Sequence, residues 1–310
     1  MTDSEKAGTR RIALGVMGLV YVIWGGVFIW ENSVVAIDGR RYFVLFDDAM
    51  ISMRYAWNLA HGVGLVWNAG ERVEGITNLL MTLYMALPSL VLGKIAAVVF
   101  VEVSGVAFLI AMGLLCMRIA RQVMGEKDAP YREFVATAAF LAPLAYYPLA
   151  FWTVLGMETG LLTLLLLWAV WLVLRDEGIE DPPWLLGVTL GLMFLTRPDA
   201  VIPMGLILAY RASGARGSSS KLRSVAFAAG CAAGFVILLT VFRWIYYGSP
   251  VPNTYTLKVT GMPLLFRIEN GWGFLLPFFG TIWVPVLIAL LGLLTQWRKS
   301  ALLLFALFAA

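Results

Sequence analysis

Leu79-Leu80-Met81-Thr82-Leu83-Tyr84-Met85-Ala86-Leu87-Pro88-Ser89-Leu90-Val91-Leu92-Gly93 is an apolar run of 15 residues, and whether it crosses a membrane decides how the rest of the chain is laid out. About 20 apolar residues span a bilayer, and Pro88 removes a helical hydrogen bond, so the run is marginal as a span. The flanking basic residues supply the test. Arg10 and Arg11 precede one long apolar run, Ile12–Trp30, and Arg118, Arg121, Lys127 and Arg132 follow another, Ile95–Met117. Lys and Arg collect in cytoplasmic loops. If residues 79–93 crossed fully, one of these clusters would fall outside. If they form a re-entrant or membrane-parallel helix, both fall inside with the N-terminus. The second arrangement is the expectation, and it makes residues 31–94 the first extracytoplasmic loop.

Composition sets the class. The 310 residues are 61% hydrophobic and 14% charged, with a mean hydropathy of +0.84, whereas soluble chains carry about 25% charged residues. The chain therefore reads as an all-α polytopic membrane protein. Its net charge of +4 reflects basic cytoplasmic loops rather than nucleic-acid binding. Cys116 and Cys231 both lie in apolar runs without a nearby histidine, so neither a disulfide framework nor a thiolate metal site is expected. Ile12–Trp30 is too long for a signal-peptide core and has no small-residue cleavage site. It is read as an uncleaved first span.

The remaining apolar runs continue the same topology. Phe134–Phe151 goes out and Leu155–Leu174 returns to a loop with Arg175, Asp176 and Glu177. Trp184–Ala209 is interrupted by Thr196-Arg197-Pro198-Asp199, which suits two short helices meeting at the outer face better than one span burying an arginine. Ser224–Tyr246 goes out, Tyr247–Asn270 forms an outer loop, and Trp272–Leu294 returns to Arg298-Lys299. Ala301–Ala310 is about half a span, which suggests a chain cut within a longer natural protein. The expected architecture has about eight transmembrane helices plus membrane-parallel or re-entrant helices in the first outer loop. Residues 1–310 are expected to form one membrane-embedded module, with no soluble C-terminal domain within them.

That first loop concentrates the polar chemistry. Phe46-Asp47-Asp48-Ala49-Met50-Ile51-Ser52-Met53-Arg54-Tyr55-Ala56-Trp57-Asn58-Leu59-Ala60-His61-Gly62 reads as an amphipathic helix with an apolar stripe of Met50, Met53, Trp57 and Ala60. Asp47, Arg54, Asn58 and His61 share another face. One aspartate can be an N-cap and no more, His61 can be a plain surface residue, and Glu71, Arg72 and Glu74 can be a solvated turn. Elsewhere, Glu158 is placed near the outer end of a returning span. Arg197 and Asp199 lie at a helix break, either as a mutual ion pair or facing a cavity. Lys258 follows the Pro-rich run Gly248-Ser249-Pro250-Val251-Pro252-Asn253-Thr254-Tyr255. Carboxylates, arginines and a lysine on one face suit an anionic lipid head group: cations hold the phosphate, and a carboxylate takes a proton from an attacking hydroxyl.

The run 46–56, with Gly62-Val63-Gly64-Leu65-Val66-Trp67-Asn68 and Gly70-Glu71-Arg72-Val73-Glu74-Gly75-Ile76-Thr77-Asn78, resembles the terminal arabinofuranosyltransferases of mycobacterial-type cell-wall synthesis. These belong to the GT-C class of membrane glycosyltransferases. Leu155-Gly156-Met157-Glu158-Thr159, Leu195-Thr196-Arg197-Pro198-Asp199-Ala200 and Tyr247-Gly248-Ser249-Pro250-Val251-Pro252-Asn253-Thr254 are similar to further segments of that family. Leu79 stands where the family usually has proline after Thr-Asn.

The resemblance implies a multi-span plasma-membrane enzyme whose first outer loop lies along the membrane, with an acidic residue early in that loop, Asp47 or Asp48, as the catalytic one. It also implies a polyprenyl-phosphate sugar donor, such as an arabinofuranose carrier, and a glycan or other hydroxyl acceptor. On this reading Arg54, Arg72, Arg197 and Lys258 neutralise phosphate, and Asn58, His61, Glu74, Glu158 and Asp199 contribute to the substrate site. A divalent cation can bridge carboxylate and phosphate, although no residue spacing demands one. Two rival readings are a transporter or flippase of a lipid-linked sugar, with 184–209 as its broken helix, and a non-catalytic donor-binding relative.

Overall fold

The computed structural model describes residues 3–124, 129–175, 182–259, 261–295, 302–304 and 306–307. Lys127, Asp176, Glu177, Arg298, Lys299 and half of the run 301–310 lie outside this set.

Three described helices are long and apolar enough to cross a membrane: α1 (Asp3–Glu31), through its Gly8–Glu31 portion, α4 (Lys94–Val123) and α10 (Ser219–Tyr247). A fourth span arises if α5 (Ala129–Ala145) and α6 (Tyr147–Val154), bent by 55°, count as one. The remaining described helices are α2 (Asp47–Ala60), α3 (Leu79–Ser89), α7 (Thr159–Leu174), α8 (Pro183–Thr196), α9 (Val201–Gly214), α11 (Asn253–Val259) and α12 (Leu264–Thr295). Helix dominates, as hydropathy led us to expect. α3 has 11 residues, roughly 16 Å at 1.5 Å per residue, about half the ~30 Å hydrocarbon core.

Arg10 at the start of α1 and Arg121 at the end of α4 both pair with Glu133 in α5. Arg10 and Arg121, one member of each basic cluster used to lay out the chain, therefore meet at one end of the molecule. Residues 32–93 lie between α1 and α4 at the other end.

The core has three main parts. Val106, Leu109 and Met112 of α4 pack with Tyr21 and Ile29 of α1, Phe140 of α5 and Val154 of α6. On another side Val98 and Val101 of α4 meet Ala49 and Met53 of α2 and Met81 and Met85 of α3. The third part joins α7, α8, α9 and α10 around Leu190, Met193 and Ile207. α8 approaches α10 closely through Gly187 and Gly191, where an added Cβ would come within 2.5 Å of Cys231 Cβ and 2.2 Å of Phe235 Cδ2. Small residues spaced by four allow two apolar helices to approach this closely when water supplies no driving force.

Several expectations need correction. Phe134–Phe151 is not one straight helix: Pro148 has no N–H to continue the α5 ladder, and the chain restarts at Tyr147 with proline in its first turn. The return helix begins at Thr159 rather than Leu155, because Gly156 adopts φ +81°, a left-handed turn favoured by glycine. Residues 247–270 are not all loop, since they hold α11 and the start of α12. The first loop also contains a two-stranded antiparallel hairpin, β1 (Val34–Val35) with β2 (Arg41–Tyr42), pairing Val34 with Tyr42. The buried face of α2 is Ala49, Ser52, Met53, Tyr55 and Ala56; of the expected stripe Met53 belongs to it, whereas Met50, Trp57 and Ala60 do not. Met50 is 38% exposed. The stripe is rotated because a polar serine and a tyrosine are buried through their hydrogen bonds.

Candidate polar site at the α2, α3 and α7 helix starts

α2 begins with two carboxylates and no side-chain cap. Its N-cap position is Phe46, and Asp47 and Asp48 occupy the first turn. Asp47 Oδ1 accepts a bond from Asp48 N at 2.8 Å, and both side chains are exposed. Negative charge in a helix's first turn is favoured by the unpaired N–H groups there. This end of α2 is docked on the turn between α6 and α7. Phe46 N donates to Leu155 O at 3.0 Å, the Phe46 and Trp152 rings meet edge to face at 4.5 Å, and Gly156 sits against Leu45.

Glu158 lies in that same turn, directly before α7, and is 4% exposed. Both its oxygens are engaged. Asn78 Nδ2 donates to Oε2 at 3.0 Å, and Arg197 Nη1 donates to Oε1 at 2.9 Å. Arg197 also holds Asp199: Nε donates to Oδ1 at 3.0 Å and Oδ2 at 3.1 Å, and Nη2 to Oδ2 at 2.7 Å. The guanidinium holds the Asp199 carboxyl below the usual carboxylate range. Asn78 precedes α3 and is itself pinned, its Oδ1 accepting from Ser52 Oγ at 3.0 Å and from Thr82 Oγ1 at 3.3 Å. A continuous polar chain thus runs from α2 (Ser52) through Asn78, Glu158 and Arg197 to Asp199, which lies in the 3-10 turn Pro198–Ala200 between α8 and α9.

The sequence-derived residues fall into separate groups. Glu158, Arg197 and Asp199 come together, and Asp47 and Asp48 abut the turn that carries Glu158. Arg54, Asn58 and His61 share the outward side of α2 and fasten its second half. Asn58 Nδ2 donates to Val66 O at 2.8 Å and Trp67 O at 2.9 Å. Arg54 Nε reaches Trp67 O at 3.3 Å, with its guanidinium 5.5 Å from the Trp67 ring centroid. His61 Nδ1 lies 2.9 Å from Trp57 O and its ring stacks on Trp57 at 4.1 Å.

Glu74 is not a solvated turn residue. It is 6% exposed and accepts from Arg243 Nε at 2.8 Å and 3.1 Å. Arg72 is exposed and lies over the Tyr246 ring at 4.9 Å. Lys258 is on α11, with its side chain outside the described set.

Ser52, Asn78, Arg243, Tyr246 and Tyr247 were not singled out from sequence. Asn78 had a usable signal, a polar residue at the mouth of an apolar helix. Arg243 had another, a lone charge inside an apolar helix. Among the described residues, no group of three or more His, Cys, Asp and Glu side chains is placed to hold a metal ion.

The cluster can position a polar ligand through Asp199 and the partly exposed Arg197, whose side chain is 38% accessible. The two exposed carboxylates of α2 can accept a proton. No protein-family profile matches the chain, and no solved structure matches it. Among curated proteins, a terminal beta-(1->2)-arabinofuranosyltransferase of Mycobacterium tuberculosis is 29% identical over 234 residues, covering 71% of this chain and 35% of that protein. The chain thus spans about a third of the relative's length. The similarity supports a distant relationship to a glycosyltransferase, and the apolar helices support a membrane protein.

Proposed function

We propose that the chain is the membrane module of a GT-C-class glycosyltransferase. It moves a sugar, with arabinofuranose the leading candidate, from a polyprenyl phosphate to a hydroxyl acceptor on the extracytoplasmic face of the plasma membrane. The observation carrying this reading is the exposed Asp47–Asp48 pair, seated by the Phe46–Leu155 bond against the turn that bears Glu158.

In this reaction the acceptor oxygen attacks the anomeric carbon, and Asp47 or Asp48 takes its proton. The bond from that carbon to the phosphate oxygen breaks with its electron pair, leaving polyprenyl phosphate. Phosphate is a good leaving group and needs no separate acid. The exposed Arg54 and Arg72, with Lys258, are the proposed cations for the phosphate. Arg197 is already held by two carboxylates and better serves to orient Asp199 toward the sugar hydroxyls, with the buried Glu158 as its anchor. About eight spans remain the proposed topology.

The experiment is transfer from a polyprenyl-phosphoryl pentofuranose in proteoliposomes, comparing the parent with Asp47→Asn and Asp48→Asn. At least one variant should lose about 100-fold or more in turnover, in the range for a removed general base. Full turnover in both would exclude the pair as the catalytic centre.

A further inference from the structure

Arg243 is a charged residue in an otherwise apolar stretch of α10, 4% exposed, and its ion-pair partner Glu74 comes from the first loop, 169 positions earlier. Ionisable groups in apolar helices are costly, so they mark a task beyond spanning. A buried pair is weak as a source of stability and better suited to fixing register. Here the register fixed is that of residues 62–78, which contain neither helix nor strand.

The last turns of α10 hold this segment at several points. Tyr246 Oη accepts from Leu65 N at 3.1 Å and Tyr247 Oη donates to Leu65 O at 2.7 Å. From the other side, Tyr55 Oη donates to Val73 O at 2.8 Å and accepts from Gly75 N at 2.9 Å, bracketing Glu74. Ile76, 4% exposed, packs with Tyr55 and Leu65 against Tyr246 and Tyr247. Two residues further on is Asn78, which donates to Glu158.

We propose that Arg243 is a positioning residue for the polar site. Through Glu74 it sets where the segment 74–78 ends, hence where Asn78 stands, and Asn78 sets Glu158. Its consequence for sugar transfer rests on the function proposed above, whereas the placement of the segment does not. Arg243 touches no substrate in this role.

The test uses the full chain in nanodiscs with Arg243→Met, Arg243→Lys and the double variant Glu74→Leu/Arg243→Met. Hydrogen–deuterium exchange is read at residues 62–82, which include the Thr82 amide bonded to Asn78 O at 3.0 Å. Arg243→Met should speed exchange there tenfold or more and leave α4 unchanged, with Arg243→Lys in between. The double variant removes the orphaned charge, so it should regain the parent's melting temperature yet keep the fast exchange. In transfer assays, Arg243→Met and the double variant should lose tenfold or more in kcat with KM for the lipid donor within twofold.

Parent-like exchange in folded Arg243→Met, or parent-like kcat in the double variant, would overturn the proposal. If Arg243→Met does not fold, Arg243→Lys and the double variant carry the same comparison. A parent protein without transferase activity would defeat the proposed function while the exchange measurement still decided the positioning role.

Discussion

Asn78 and Glu158, 80 positions apart, join the first loop to the start of α7 through one buried hydrogen bond of 3.0 Å. Asn78 also accepts from Ser52 and Thr82, so one amide satisfies three buried side chains. Asn78→Ala leaves a carboxylate oxygen and a serine hydroxyl buried without that partner. Each such loss costs about 1–3 kcal/mol, and the variant should be destabilised by about 3 kcal/mol in thermal unfolding in detergent. A change below about 0.5 kcal/mol would mean water replaces the amide without cost.

Asp47 and Asp48 behave differently. Neither occupies the N-cap of α2, so beyond the exposed bond from Asp48 N to Asp47 Oδ1 their structural contribution is favourable charge in the first turn, about 0.3–1 kcal/mol each. Asp47→Asn and Asp48→Asn should therefore melt close to the parent while one of them loses turnover. A melting drop as large as that of Asn78→Ala would show a structural role and make the loss of turnover uninformative.

The parts legible in sequence were those marked by local chemistry. Pro198 beside two charges announced the break between α8 and α9, and hydropathy announced α1, α4 and α10. What escaped depended on partners far away in sequence. Glu74 was open to two readings, a substrate-site carboxylate or a solvated turn, and its burial in an ion pair was hidden because Arg243 lies 169 residues on. The α2 stripe was misregistered because Ser52 and Tyr55 are buried by bonds to Asn78 and to the backbone of Val73 and Gly75. The late start of α7 was hidden because Gly156, in an apolar run, gives no sign of its positive φ.

That turn yields its own prediction. Gly156→Ala places a Cβ on a residue at φ +81°, within 3.0 Å of both Leu45 methyls. The left-handed conformation costs an L-residue about 1–2 kcal/mol, and the contact adds to it. We expect at least that loss in thermal unfolding. The same change at Gly26, in α1 with nothing within 4 Å, should be neutral or mildly stabilising.

Asp199 gives a pH dependence with a defined sign. Its carboxyl is held below the ordinary range, first by the hydrogen bond from Arg197. A depressed folded-state value means the pair's stabilisation is present above the unfolded value, about 3.9, and is lost as pH falls through the lower folded value. Melting of the parent should therefore decline below about pH 4 more steeply than that of Asp199→Asn. Parallel acid profiles would show that Asp199 is not coupled to Arg197 in solution.

Glu102 sits in α4, 1% exposed, and its Oε2 has no hydrogen-bond partner. It belongs to neither the Glu158 cluster nor the Arg243 pair. A buried acceptor left unsatisfied costs about 1–3 kcal/mol, and replacing it with an apolar group of similar shape removes that cost. Glu102→Met should thus raise the melting temperature, against the usual direction for a core substitution. Glu102→Ala should lower it relative to Glu102→Met, because it opens a cavity between α4 and its neighbours. A lower melting temperature for Glu102→Met than for the parent would show that the carboxyl gains more from its surroundings than burial takes away.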